Sequence, residues 1–136
     1  MPRFLFILLV IFPVVAQAEL VFEDTWIKNL PPTVPVRAGY MRIHNPGSKA
    51  VSILSISSGA FANVEIHQTI MQDGMMSMEQ VPALTIAPNS QLALEPGGIH
   101  LMLMDPFEPT RPGDKIRITF ELSDGSQQSP VFIVRK

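Results

Sequence analysis

Cysteine is absent from all 136 residues. That removes disulfides, thiolate metal ligands and nucleophilic thiols, and it leaves no residue for lipid attachment at a lipobox. Tryptophan and tyrosine occur once each, and charged residues make up only 16% of the chain. The formal net charge is -2, and the lysines and arginines are scattered. A nucleic-acid partner would call for a basic patch, so that class is excluded. Long apolar runs are also missing. The longest, Phe4–Val15, covers about a dozen residues, against the roughly 20 that a bilayer-spanning helix needs. No segment carries a sustained helical period.

What is present starts with that same apolar run. Arg3 precedes it and Ala16-Gln17-Ala18 follows it, the order of a basic region, an apolar region and a small-x-small cleavage site. Residues 1–18 are therefore expected to be a cleaved signal peptide, with a mature domain over 19–136. At this size, and with 46% hydrophobic residues, the mature chain holds one folded core.

Short alternating segments punctuated by Pro, Gly, Asn and Asp predict an all-β domain, an antiparallel β-sandwich or barrel. Strands are expected over 20–28, 39–45, 50–57, 64–72, 75–81, 84–87, 91–94, 99–104 and 115–122, with a last one ending at Val134. Leu30–Pro35 and Asp105–Asp114 are expected to be loops. In the strand at 115–122, Ile116, Ile118, Phe120 and Leu122 fall on one side.

Asp73-Gly74 between two strand-like runs predicts a two-residue hairpin. Such a turn sets Gln72 opposite Met75, Met71 opposite Met76, Thr69 opposite Met78 and His67 opposite Gln80. His67 and Met78 then become diagonal neighbours on one face, about 7–8 Å apart at the backbone. On a later strand His100, Met102 and Met104 also share a face. Six of the eight methionines lie between Met71 and Met104.

Thioether sulfur is soft and uncharged. Combined with imidazole it suits Cu(I), with Ag(I) as a mimic, far better than Zn, Ca or Mg. A blue-copper site requires a cysteine and is excluded. Methionine on a strand ordinarily fills core space, and a solitary histidine is more often a packed or surface residue. His44, beside Asn45-Pro46-Gly47, belongs to that group. The case for a site rests on two of three histidines sharing strands and faces with methionines. The hairpin leaves Met71, Met76 and Met78 all open as partners of His67. Those not used as ligands, and Met75 and Met104, are expected to pack or to support the site. No catalytic triad or paired carboxylate spacing appears, so no enzymatic turnover is expected.

The spacing His67, ten residues, Met78, twenty-one residues, His100, one residue, Met102 resembles the H-x10-M-x21-H-x-M motif of the PCu(A)C periplasmic copper chaperones. The surrounding Glu65-Ile66-His67-Gln68-Thr69, Gly74-Met75-Met76-Ser77-Met78, Pro96–Met104 and Pro112-Gly113-Asp114 are similar too, as are Ala38-Gly39-Tyr40 and Asn45. The resemblance implies a cupredoxin-like fold with Cu(I) held by His67, Met78, His100 and Met102. It also implies a periplasmic monomer that delivers copper to the CuA centre of cytochrome c oxidase subunit II, alongside Sco-type proteins. A copper-buffering or resistance protein without a dedicated oxidase partner is the alternative. A structural sandwich whose methionines merely pack is a third reading.

Overall fold

The computed structural model describes residues 1, 5, 7–13 and 19–136. Arg3 and the Ala16-Gln17-Ala18 motif lie outside the described residues. Those described before Glu19 form no strand or helix.

Eleven strands follow: β1 Val21–Lys28, β2 Val36–Asn45, β3 Val51–Ser58, β4 Phe61–Gln72, β5 Met75–Gln80, β6 Leu84–Ile86, β7 Ser90–Leu94, β8 Ile99–Pro106, β9 Lys115–Leu122, β10 Gln127–Gln128 and β11 Val131–Arg135. Their order is β5-β4-β8-β2-β1-β11-β9-β3-β6, with β7 on β2 and β10 on β9. The fold is all-β and cupredoxin-like, as expected. One pair departs from the antiparallel pattern: β1 and β11, at the two ends of the domain, run parallel. No local signal marks that pairing, because a parallel partner must arrive through a long connection.

Alternation drives the packing. Ile116, Ile118, Phe120 and Leu122 on β9 are all buried, and so are Phe132 and Val134 on β11. Phe120 stacks between Phe22 and Phe132, with ring centres 5.0 and 6.3 Å away. Against this layer pack Ile27, Met41, Ile43, Val64, Ile66, Leu101 and Leu103. Each fully buried aliphatic side chain of this kind contributes about 1.5–3 kcal/mol. On β4 and β8 the core therefore takes one face only, through Val64, Ile66, Leu101 and Leu103.

Several strands exceed their expected limits. β2 begins at Val36, directly after Pro35, because Val36 pairs with Met104. β4 begins at Phe61, and β8 extends to Pro106, which pairs with Phe61. A proline is tolerated there because a strand's last residue need not donate to the ladder. The short β10 is an addition to the expected set. Asp73 and Gly74 both have positive φ, 52° and 74°, the backbone of a type I′ hairpin turn. The β4–β5 register is the expected one, from His67 opposite Gln80 to Gln72 opposite Met75.

Candidate metal centre

The outer face of β5-β4-β8 gathers the chemistry-bearing residues. Leu101 and Leu103 point into the core, so strand alternation turns His100, Met102 and Met104 outward. On β4, Val64 and Ile66 point inward, which turns Asn63, Glu65 and His67 to the same outer side. The two strands are in register here: His67 opposes His100, Glu65 opposes Met102 and Asn63 opposes Met104. On its other flank Met102 faces Ala38 of β2, a small residue that leaves its thioether room.

The imidazoles of His67 and His100 have ring centres 6.4 Å apart, tilted by 34°. Two imidazoles sharing one ion through metal–nitrogen bonds of about 2.0–2.1 Å hold their centres roughly 5–6.5 Å apart. The pair stands at the wide end of that range, so a four-coordinate ion would draw the two rings about 1 Å closer. Each ring uses one nitrogen. His67 Nε2 is 2.8 Å from Glu65 Oε2, and His100 Nδ1 is 3.1 Å from the Gly98 carbonyl oxygen. The other nitrogen of His67, Nδ1, is buried and has no hydrogen-bond partner. Buried polar atoms are rarely left unpaired, and such an atom calls for an explanation. A lone pair awaiting a metal supplies one, so the residues present fit an ion.

Thioethers are the soft donors at hand beside the histidine pair. Among the described residues no three His, Asp or Glu side chains come together to hold a metal, and cysteine is absent. Met102 lies two residues from His100 on the same face. Met78, opposite Thr69, sits diagonally across from His67 on β5.

Of the two expectations for the surplus methionines, packing fails for those on the hairpin. Met71, Met75 and Met76 are 66%, 74% and 68% exposed, and Met78 is 54% exposed. The reason lies in the sheet. β8 begins at Ile99, opposite Gln68, so beyond Thr69 the β4–β5 hairpin projects as a two-stranded ribbon. Only Met104 packs, partly buried beside Asn63 and Val36. His44 stands apart from the centre, paired with Val21 and Gln91. Glu65, in contact with His67, was not among the expected site residues. The pattern Glu65-x-His67, two residues apart on a strand, was its available signal.

The fold and the outer-face cluster define a PCuAC-type β domain. The chain is similar to the copper-bound PCuAC domain of PmoF2, with a TM-score of 0.73 and 18% identity over 89% of this chain and 96% of that one. It is also similar to the Cu(I) form of DR1885 from Deinococcus radiodurans, with a TM-score of 0.71 and 28% identity over 89% and 82% of the two chains. The chain belongs to the LpqE-like family, whose model, described as "Putative lipoprotein LpqE-like", matches residues 20–133. A protein of Rickettsia prowazekii is 32% identical over 117 residues, 83% of this chain and 65% of its own. A protein of Leifsonia xyli described as a "Putative lipoprotein" is 34% identical over 97 residues, 71% of this chain and 58% of its own. The chain thus spans less than two thirds of the length of these curated relatives. The lipoprotein description of the family points to export to the cell envelope. No helix among the described residues is long and apolar enough to cross a membrane.

Proposed function

We propose that the chain is an exported, periplasmic Cu(I) carrier that binds one ion through His67, His100, Met102 and Met78. The observation that carries this reading is the in-register His67–His100 pair with a buried, unpartnered Nδ1 on His67. The likeness to the Cu(I) form of DR1885 supports it. Imidazole and thioether are neutral, so the bound ion keeps its charge and can pass by stepwise ligand exchange to thiolates on an acceptor. The cargo changes hands without any side chain acting as an acid or base, and no enzymatic turnover is part of the reading. The acceptor we propose is the CuA domain of cytochrome c oxidase subunit II, with Sco-type proteins as further partners. Residues 1–18 would direct export and be removed.

An anaerobic Cu(I) competition titration tests the proposal. One equivalent should bind tightly, and binding should be lost in His67→Ala and His100→Ala. A wild-type chain that binds no Cu(I) refutes it. Mixing the loaded protein with an apo CuA domain then separates delivery, in which copper transfers, from buffering, in which it stays.

A further inference from the structure

Asn63, Glu65 and His67 form a line along one strand, every second residue on the same outward face. Asn63 Nδ2 donates to Glu65 Oε1 at 2.9 Å, and Glu65 Oε2 lies 2.8 Å from His67 Nε2. Both carboxylate oxygens are engaged, each by a different neighbour, so the carboxylate plane is held. Ionised glutamate only accepts hydrogen bonds. The proton of a neutral His67 ring is therefore drawn to Nε2, leaving Nδ1 as a bare lone pair. Among the described residues no hydrogen-bond partner competes for that nitrogen. His100 is arranged in the opposite sense. Its Nδ1 is beside the Gly98 carbonyl, which only accepts, and this leaves Nε2 free. The two opposed histidines thus offer different ring nitrogens.

We propose that Glu65, oriented by Asn63, is a positioning residue that locks His67 in the Nε2–H tautomer and so makes Nδ1 the nitrogen that takes the metal. This rests on the copper-carrying reading for the identity of the ion, but the tautomer belongs to the metal-free protein. A carboxylate behind a metal-bound imidazole orients the ring and strengthens it as a donor. Here it has a second effect. Four neutral ligands leave a monovalent ion uncompensated, and Glu65 supplies the negative charge one ring away. An outer-shell carboxylate of this kind stabilises the loaded state without occupying a coordination position. The acceptor can then still exchange ligands one at a time.

Long-range proton–nitrogen NMR correlation on the full, nitrogen-15-labelled chain tests this, with both rings neutral. In the metal-free wild type, His67 should give the pattern of a protonated Nε2 and an unprotonated Nδ1. Adding Cu(I) anaerobically, or Ag(I), should shift the Nδ1 resonance. Glu65→Ala should give a mixture of tautomers and a Cu(I) affinity lower by about 10–100-fold, as for other outer-shell partners. Glu65→Gln can still accept through its amide oxygen, so it should keep the tautomer yet lose part of the affinity. An Nδ1–H tautomer in the wild type overturns the proposal, as does Glu65→Ala with an unaltered tautomer and affinity. Unchanged backbone shifts in the variants establish that they are folded. If the wild type binds neither ion, the copper-carrying function fails, while the metal-free tautomer still decides whether Glu65 positions the ring.

Discussion

Gly39 on β2 and Leu101 on β8 stand opposite one another, and a β-carbon on Gly39 would lie 3.1 Å from Leu101 Cβ and 3.1 Å from Leu103 Cδ1. The two strands approach this closely only because residue 39 has no side chain. The strand being approached is the one that carries His100 and Met102 on its opposite face. Position 39 therefore sets the seat of His100 and Met102 from behind.

Gly39→Val should consequently do two things. Overpacking against Leu101 and Leu103 should cost about 1–3 kcal/mol, measured by urea denaturation. Displacement of β8 should also weaken Cu(I) binding, measured by competition titration. Gly39→Ala should show both effects in smaller degree.

Alanine substitution should sort the methionines. Met102→Ala and Met78→Ala are each expected to reduce Cu(I) affinity by about tenfold or more, equivalent to about 1.4 kcal/mol. Met71→Ala and Met76→Ala should leave the titration unchanged, since these side chains project from the ribbon into solvent. A loss of binding in Met71→Ala with none in Met78→Ala would reassign the hairpin's ligand.

Oxidation gives an independent reading of the same assignment. Peroxide converts exposed thioethers to sulfoxides, so Met71, Met75, Met76 and Met78 should all react in the metal-free protein. Loading with Ag(I) should protect Met78 and leave Met71, Met75 and Met76 reactive. Peptide mass spectrometry resolves the sites.

Tyr40 predicts an alkaline limit to stability. Burial raises its pKa above the ordinary 10.0, because the phenolate is disfavoured away from water. The folded chain thus holds the proton to higher pH than the unfolded chain does. The contribution is complete below about pH 10 and is lost as the pH rises through the folded value. Urea midpoints should fall on that limb, and Tyr40→Phe should flatten it. Tyr40 also packs on Trp26, with ring centres 4.7 Å apart, so indole fluorescence follows the transition.

The parts legible in the sequence were the local ones. Asp73-Gly74 fixes a two-residue turn, and a two-residue turn fixes every pairing from His67 to Gln80. The alternation of Ile116, Ile118, Phe120 and Leu122 likewise marks one buried face. By contrast, the His67–His100 pairing joins strands separated by the whole of β5, β6 and β7, and no local rule determines that register. That Met71, Met75 and Met76 do not pack has a related cause. Whether a methionine packs depends on where β8 stops, which the hairpin's own residues do not reveal. Gly39 gave no turn signal, since its role is close approach to Leu101 rather than an unusual backbone angle. Glu65 was visible only as part of the motif around His67.

β4 itself changes character along its length. Its first half is fastened to the domain by Val64 and Ile66 beneath and β8 alongside, and its second half belongs to a two-stranded ribbon, the least self-sufficient form of sheet. His67 stands on the anchored half, and Met78, on the edge strand β5 opposite Thr69, at the root of the ribbon. Under the proposed ligand set, the centre therefore has a stiff side and a compliant side. The Met78 sulfur would be the first to let go, opening a vacancy for a visiting thiolate while both imidazoles keep the ion from escaping into water. The order of events in a hand-over would then follow from where one neighbouring strand happens to end.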